Sequence, residues 1–310
     1  SELKIIHIYS KAINGVALTL NKEQISILKK DNRVKYIEQD QIVQFAPPCG
    51  TPNGGPCDPD GGGGDGGGDP VQETPWGITR VNGGVNYSDA NVAWILDSGI
   101  DLDHPDLNVD SSRGYNAFTS GKDGKSLDDG NGHGTHVAGT IGAINNSIGV
   151  IGVAEGATVI PVKVLGARGS GSYSGVIAGV VHVAENGDAG DVANMSLGGP
   201  KSQALEDAIE TAARQGIRFT LAAGNEAQDA NNVSPASLEA PNVYTISSMS
   251  IGDNWSSFSN FGNPPVDYCA PGSSIKSTWK NGGYNTISGT SMAAPHAAGV
   301  LLLGNASNGG

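Results

Sequence analysis

Hydrophobic and polar positions change rhythm twice along the chain. In residues 1–46, Lys4–Tyr9 and Gly15–Leu20 alternate or run apolar over a few positions, which predicts two short strands. Asn21 stands three residues before Gln24, ahead of Ile25 and Leu28. That spacing predicts a capped helix, the asparagine accepting from an orphan N–H and the glutamine reaching back. Val34–Glu38 predicts another strand, so the first 46 residues read as a small α/β unit. The rhythm then stops at Pro47–Pro70, which contains Gly61-Gly-Gly-Gly-Asp-Gly-Gly-Gly-Asp69. Ordering so much glycine costs entropy that no side chain there offsets, which predicts a flexible linker. The spacing of its aspartates fits no calcium loop.

From Val71 onward short apolar runs recur: Ala93–Leu96, Val159–Leu165, Val192–Met195, Phe219–Ala222 and Val243–Ser247. They alternate with helix-like stretches, Ser174–Glu185 and Gln203–Gln215. The pattern predicts buried strands in a parallel sheet, with helices on both faces. Functional residues gather beyond the carboxyl ends of such strands. Asp97, Ser196 and Asn225 stand at those places.

Length and charge narrow the function. The 310 residues suffice for one large α/β domain and something small. Residues 1–46 carry seven Lys/Arg against five Asp/Glu, the remainder eleven against twenty-six. An acidic exterior of that kind argues against nucleic acid as partner, since phosphate binding needs clustered cations. No apolar run reaches the ~18–20 residues that span a bilayer, so no membrane partner is expected. Ser1 is not an initiator methionine and opens no signal-peptide pattern, so the numbered chain is expected to start inside a longer precursor. Three cysteines are too few for a disulfide framework. Cys49 and Cys57 could close a small loop, and Cys269 is expected as a buried, unreactive thiol.

Three motifs carry chemistry. Val92-Ala-Trp-Ile-Leu-Asp97 delivers an aspartate at the end of an apolar run. Asn131-Gly-His-Gly-Thr-His-Val-Ala-Gly-Thr140 opens a helix with His133 and His136, and Ser288-Gly-Thr-Ser291-Met-Ala-Ala-Pro opens another at Ser291. A serine attacks an amide only if an imidazole takes its proton, and a carboxylate must orient that imidazole. Spacing does not choose between His133 and His136, which lie near one helical face. Asp101 and Asp103 are alternatives to Asp97 by proximity, in a turn where Asp commonly caps solvated backbone. Zinc on the two histidines lacks an intervening glutamate and a third ligand. The chain order Asp, His, Ser is one of three known for triad chemistry. Together the three motifs resemble the subtilisin-like serine endopeptidases.

The resemblance implies a three-layer α/β/α sandwich around a mainly parallel seven-stranded sheet. It makes Ser291 the nucleophile, His133 the base and Asp97 its partner, leaving His136 a structural role. Asn225, in Leu221-Ala-Ala-Gly-Asn-Glu226, resembles the amide that binds the oxyanion. Gly169-Ser170-Gly171 and Ser196-Leu197-Gly198 resemble the two segments that sandwich an extended polypeptide substrate. Ala222, Ala223, Gly224 and Glu226 would line the primary pocket, Tyr173 and Leu197 an apolar one further along. Glu226 would favour basic side chains or face solvent.

Calcium is the implied cofactor. Gln72, Asp106, Asn146 and the carbonyls of Ile144, Ile148 and Val150 resemble the tight site of subtilisin. Pro241, Val243 and Asp267 resemble a second site of proteinase K-like relatives. Residues 1–46 resemble the later half of the family's ferredoxin-like inhibitory propeptide, through Leu28-Lys-Lys-Asp31 and Val34-Lys-Tyr-Ile-Glu-Gln-Asp40. The family's propeptide begins with a further strand and helix. A linker over 47–70 and a catalytic domain over 71–310 follow, the latter short at its end, with nineteen residues after Ser291. The expected protein is a secreted, monomeric, self-processing zymogen, or else an inactive peptide-binding scaffold. The family's junction aligns with Ala46–Pro47. Proline after the scissile bond resists attack, so cleavage is expected at Phe45–Ala46, with a further trim before Gln72.

Overall fold

A computed structural model describes residues 4–45 and 71–307. Its centre is an eight-stranded sheet. Seven strands run in the order Asn254–Trp255, Val243–Ser250, Arg218–Ala222, Val192–Met195, Ala93–Asp97, Val159–Lys163, Tyr115–Asn116, and Val266–Pro271 pairs beside Val243–Ser250. All pairings are parallel except that of Asn254–Trp255. One strand more than expected is present, because two-residue pairings such as Asn254–Trp255 and Tyr115–Asn116 are too brief to leave a pattern in sequence.

Ala93–Asp97 explains the layers. All five residues are buried. Trp94 and Leu96 join one apolar cluster with Val176, Val180, Leu205 and Ile209, from the helices Tyr173–Asn186 and Gln203–Ala213. Ala93 and Ile95 join the other with Val137, Ile141, Met292 and Ala298, from His133–Gly142 and Thr290–Leu303. Alternate side chains of a strand face opposite sides, so a sheet covered on both faces needs apolar residues throughout. Each fully buried Leu or Ile there contributes about 1.5–3 kcal/mol relative to exposure. The fold is the α/β sandwich expected, with its mainly parallel sheet between two helical layers.

The helices start and stop for local reasons. Ser172 and Ser202 accept from Gly175 N–H and Leu205 N–H, capping the two crossover helices. Gln203–Ala213 ends short of the predicted Gln215, and the chain turns out through Gly216 at φ 95°, a conformation that glycine adopts without strain. Thr290–Leu303 contains Pro295, which has no N–H for the carbonyl of Ser291. That carbonyl accepts from Ser196 Oγ at 2.7 Å instead.

In the N-terminal unit, Lys4–Tyr9 and Gly15–Thr19 pair antiparallel, and Lys22–Leu28 starts on the Asn21–Gln24 capping box. Val34–Glu38 is not a strand. Its side chains are committed elsewhere: Lys35 and Tyr36 both donate to Asp207, and Glu38 accepts from Ser202 Oγ and Ala204 N–H. The segment therefore crosses the start of helix Gln203–Ala213, and the described residues build a hairpin and one helix rather than a ferredoxin-like sheet. Further on, Ile42–Gln44 does form a strand, paired antiparallel with Ser170–Ser172.

Cys269 corrects another expectation. It is exposed at the sheet edge rather than buried, although partial burial raises its thiol pKa. Cys49, Cys57 and the predicted linker lie outside the described residues.

Candidate active site

Three elements of different origin converge. Asp97 ends its strand, His133 opens its helix and Ser291 is the second residue of its own. All three are buried. His133 Nδ1 lies 2.8 and 2.9 Å from the two Asp97 carboxylate oxygens, and Ser98 N–H donates to Oδ1 at 2.7 Å. Gly132, at φ 114°, turns the chain into the helix, where any side chain would strike Trp279. Ser291 Oγ donates to the Ser196 carbonyl at 3.2 Å, and His133 Nε2 has no hydrogen-bond partner among the described residues. A free imidazole nitrogen and a lightly held hydroxyl leave both groups available to a substrate.

His136 is placed differently. It is fully buried, with Nε2 on the Ile275 carbonyl at 2.9 Å, and desolvation lowers its pKa to about 3. Asp101 lies in the turn, accepting from Gly282 N–H at 2.8 Å, and burial raises its pKa. The carboxylate bonded to the His133 ring is that of Asp97. Among the described residues no three His, Cys, Asp or Glu side chains cluster as a metal site.

Asn225 is fixed by a residue that sequence reading passed over. Its Oδ1 accepts from Thr290 N–H at 2.8 Å and Thr290 Oγ1 at 2.9 Å, while Thr290 Oγ1 accepts from Gly224 N–H at 3.1 Å. With the carbonyl side committed, the amide's N–H₂ is left for a ligand beside the start of the Ser291 helix. A hydroxyl directly before the serine was the available signal.

The cleft holds the chain's own segment. Ile42, Val43 and Gln44 pair with Ser172, Gly171 and Ser170, and Tyr173 N–H donates to the Gln41 carbonyl at 3.0 Å. On the other side Gln44 N–H donates to the Gly198 carbonyl at 3.2 Å, and Gly198 N–H to the Gln44 carbonyl at 2.9 Å. Phe45 N–H reaches the Gly169 carbonyl at 3.3 Å, and its ring stacks on His133 with centroids 4.3 Å apart. Gly169 sits at φ 74°, and a Cβ there would lie 1.9 Å from the Phe45 ring. Val43 is wholly buried in the cluster that contains Tyr173 and Leu197.

A cavity of 280 Å³ opens beneath this strand, walled by Leu197, Gly198, Ala222, Gly224, Thr290 and Ser291 among others, with exposed Glu226 also on its lining. Glu226 accepts from Asn260 Nδ2 at 2.8 Å. Ala223 does not join the wall as expected. Its side chain packs behind with Ala230 and Ala236, because its N–H pairs with the next strand at Ile246. Sequence reading named Phe45 only for the expected cut at Phe45–Ala46; its place against His133 carried no signal in the sequence.

Residues named for the first expected calcium site lie near one another. Gln72 Nε2 donates to the Ile144 carbonyl at 2.8 Å, and to Asn146 Oδ1 and the Ile148 carbonyl at 3.3 Å each. Asp106 accepts from Asn146 Nδ2 at 2.9 Å, Val150 N–H at 3.1 Å and Tyr284 OH at 3.3 Å. Burial pushes its pKa up to about 6, against those hydrogen bonds. Three oxygens converging on one point beside a buried carboxylate fit a hard cation, and a half-turn of the Gln72 amide would add a fourth. Pro241, Val243 and Asp267 show less. Asp267 accepts from Thr245 N–H at 2.8 Å, and burial raises its pKa, but the described contacts converge no comparable set of oxygens.

Comparison with known proteins places this geometry. Residues 90–308 match the subtilase family and residues 1–46 the peptidase inhibitor I9 family. Alkaline serine exoprotease A of Vibrio alginolyticus is 42% identical over 97% of this chain and 53% of its own length. The chain thus spans about half of that relative. Subtilisin E of Bacillus subtilis (strain 168) is 39% identical over 94% of this chain and 71% of its own length. The crystal structure of a cold adapted subtilisin-like serine proteinase superimposes with a TM-score of 0.63 at 44% identity, covering 74% of this chain and 83% of that one. The chain belongs to the subtilase family and carries an inhibitor I9 match ahead of the residues that match that family.

Proposed function

We propose that this chain is a zymogen of a secreted serine endopeptidase, in which Asp97, His133, Ser291 and Asn225 carry the chemistry. His133 Nε2 takes the Ser291 proton as Oγ attacks the substrate carbonyl. Asp97 holds the Nδ1–H and stabilises the imidazolium. Asn225 Nδ2 and the Ser291 N–H donate to the tetrahedral oxyanion. The protonated imidazole then delivers its proton to the leaving amine, and water repeats the cycle on the acyl-enzyme.

One observation carries this reading. Ile42–Phe45 lies in the cleft as an extended peptide, bonded through its backbone on both sides, with Phe45 on His133. A cleft that takes affinity from main-chain bonds accepts polypeptides generally and selects by pockets. The same segment supports inhibition in cis by the I9 unit.

The test compares wild type with Ser291→Ala on a succinyl-peptide anilide, beside titration with a serine-directed fluorophosphonate. Hydrolysis and labelling should vanish together in the variant, while peptide binding remains. The alternative, an inactive scaffold, draws on the Ser291 hydroxyl bonding Ser196 rather than His133. It predicts no stoichiometric labelling of the wild type.

Calcium completes the proposal. Gln72, Asp106, Asn146 and the carbonyls of Ile144, Ile148 and Val150 would hold one ion, and Pro241, Val243 and Asp267 a second. The ion would supply folded-state stability and no reaction step. Secretion and a monomeric state rest on the family resemblance, and activity in the culture medium at monomer mass tests both. No helix among the described residues is long and apolar enough to cross a membrane.

A further inference from the structure

We propose that Asp129 is a positioning residue for the triad, clamping the strand end that carries Asp97 to the helix start that carries His133. The inference rests on the functional reading above and concerns how its geometry is held.

The Asp129 carboxylate is 4% exposed and accepts five hydrogen bonds. Oδ1 takes Ser98 Oγ, Asn131 N–H and Gly132 N–H, each at 2.9 Å. Oδ2 takes Thr135 N–H at 2.9 Å and Thr135 Oγ1 at 2.7 Å. An ordinary helix cap uses one oxygen on one N–H. Here a single carboxylate spans the loop before the helix, its first turn and a residue of a different element.

That other residue makes the link. Ser98 follows Asp97, and its N–H donates to Asp97 Oδ1 at 2.7 Å. Its Oγ, while donating to Asp129, accepts from Gly134 N–H at 3.0 Å. The first N–H groups of the His133 helix thus end on Asn131 Oδ1, Ser98 Oγ and Asp129 Oδ2. Strand end and helix start are in close contact, since a Cβ on Gly134 would lie 2.1 Å from the Gly99 carbonyl oxygen. The imidazole can meet both Asp97 oxygens only while that contact keeps its register.

Asp129→Asn removes one arm whichever way the amide turns, because its N–H₂ faces donors on either side. A misplacement of about 1 Å costs on the order of 10²-fold in rate. The expected result for processed, full-length-expressed enzyme is a kcat lower by about 10–100-fold with KM within about twofold. The low-field proton of the His133–Asp97 hydrogen bond should shift or broaden in the NMR spectrum. In a His133→Ala background the same substitution should change residual activity little, because its effect runs through the imidazole. Asp128→Asn, an exposed neighbouring carboxylate, should behave as wild type.

Should Asp129→Asn fail to fold, Ser98→Ala removes the Ser98 link, its bond to Asp129 and its bond from Gly134 N–H together, and should lower kcat in the same way, less severely. Unchanged kcat and proton signal in either folded variant overturns the clamp, as does an equal loss in the His133→Ala background. A wild type that hydrolyses nothing sinks the functional reading, and the proton signal then decides the clamp by itself.

Discussion

A histidine's partners, more than its position in a motif, decide what it can do. His133 and His136 are indistinguishable by spacing, and both are buried. The difference lies in the atoms: His133 has Nδ1 on Asp97 and, among the described residues, no partner on Nε2, whereas His136 spends Nε2 on the Ile275 carbonyl. His133→Ala should therefore abolish turnover, and a folded His136→Ala should retain most of it; the reverse order in an anilide assay would reject the assignment. His136 also couples pH to stability, together with His296, whose pKa burial lowers to about 4. Both folded pKa values lie below the ordinary 6.5. The unfolded chain therefore takes up protons that the folded chain refuses as pH falls through 6.5, and stability drops. Each histidine contributes a slope of about 1.4 kcal/mol per pH unit in that window. Denaturant midpoints at pH 7 and pH 5 should differ less in His296→Gln than in wild type. Sequence alone showed the two histidines but not their solvation, which depends on residues more than a hundred positions away.

Single elements were legible where their cause is local. The Asn21–Gln24 box, the buried run Ala93–Leu96 and the serine before each crossover helix all speak within a few residues. Val34–Glu38 misled because its alternation suits a strand, while its polar side chains find better partners on a helix start. Glu38 accepts from Ser202 Oγ and Ala204 N–H, and Asp40 accepts from Ser174 N–H at 2.9 Å and Ser174 Oγ at 2.6 Å. Two carboxylates of the inhibitor unit thereby sit at the positive ends of the two crossover helices, a favourable place for anions. Replacing one charge and its bonds should weaken the docking by about 1 kcal/mol or more. Asp40→Asn and Glu38→Gln should thus shorten the lag before activity emerges during processing, and the double substitution more so. An unchanged lag in the double variant would show that Ile42–Phe45 alone holds the unit in place.

Across the whole molecule, function depends on contacts between distant parts of the chain. Gln72 reaches Ile144 and Ile148, and its expected ion would bind only the folded state, worth about 2.7 kcal/mol at a hundredfold excess over Kd. EDTA should speed thermal inactivation of wild type, and Asp106→Asn should erase most of that difference; equal rates with and without calcium would remove the proposed sites. The same long-range order bears on maturation. Hydrogen-bonded pairs in an antiparallel ladder recur at every second residue. Gln44 exchanges both bonds with Gly198, so the place opposite Ser196, whose carbonyl holds the Ser291 hydroxyl, belongs two residues further on. In sequence that residue is Ala46, which lies outside the described residues, and Pro47 follows it. Continuing the register of Gln44 by two residues predicts a cut after Ala46, beside the Phe45–Ala46 bond expected from sequence. Proline there has a locked φ and no N–H, so self-cleavage should be slow and the unit long-lived in the cleft. Pro47→Ala should accelerate processing and give a new N-terminus at residue 47. A wild-type N-terminus at Ala46 would instead mean that the segment slips by one residue before it is cut.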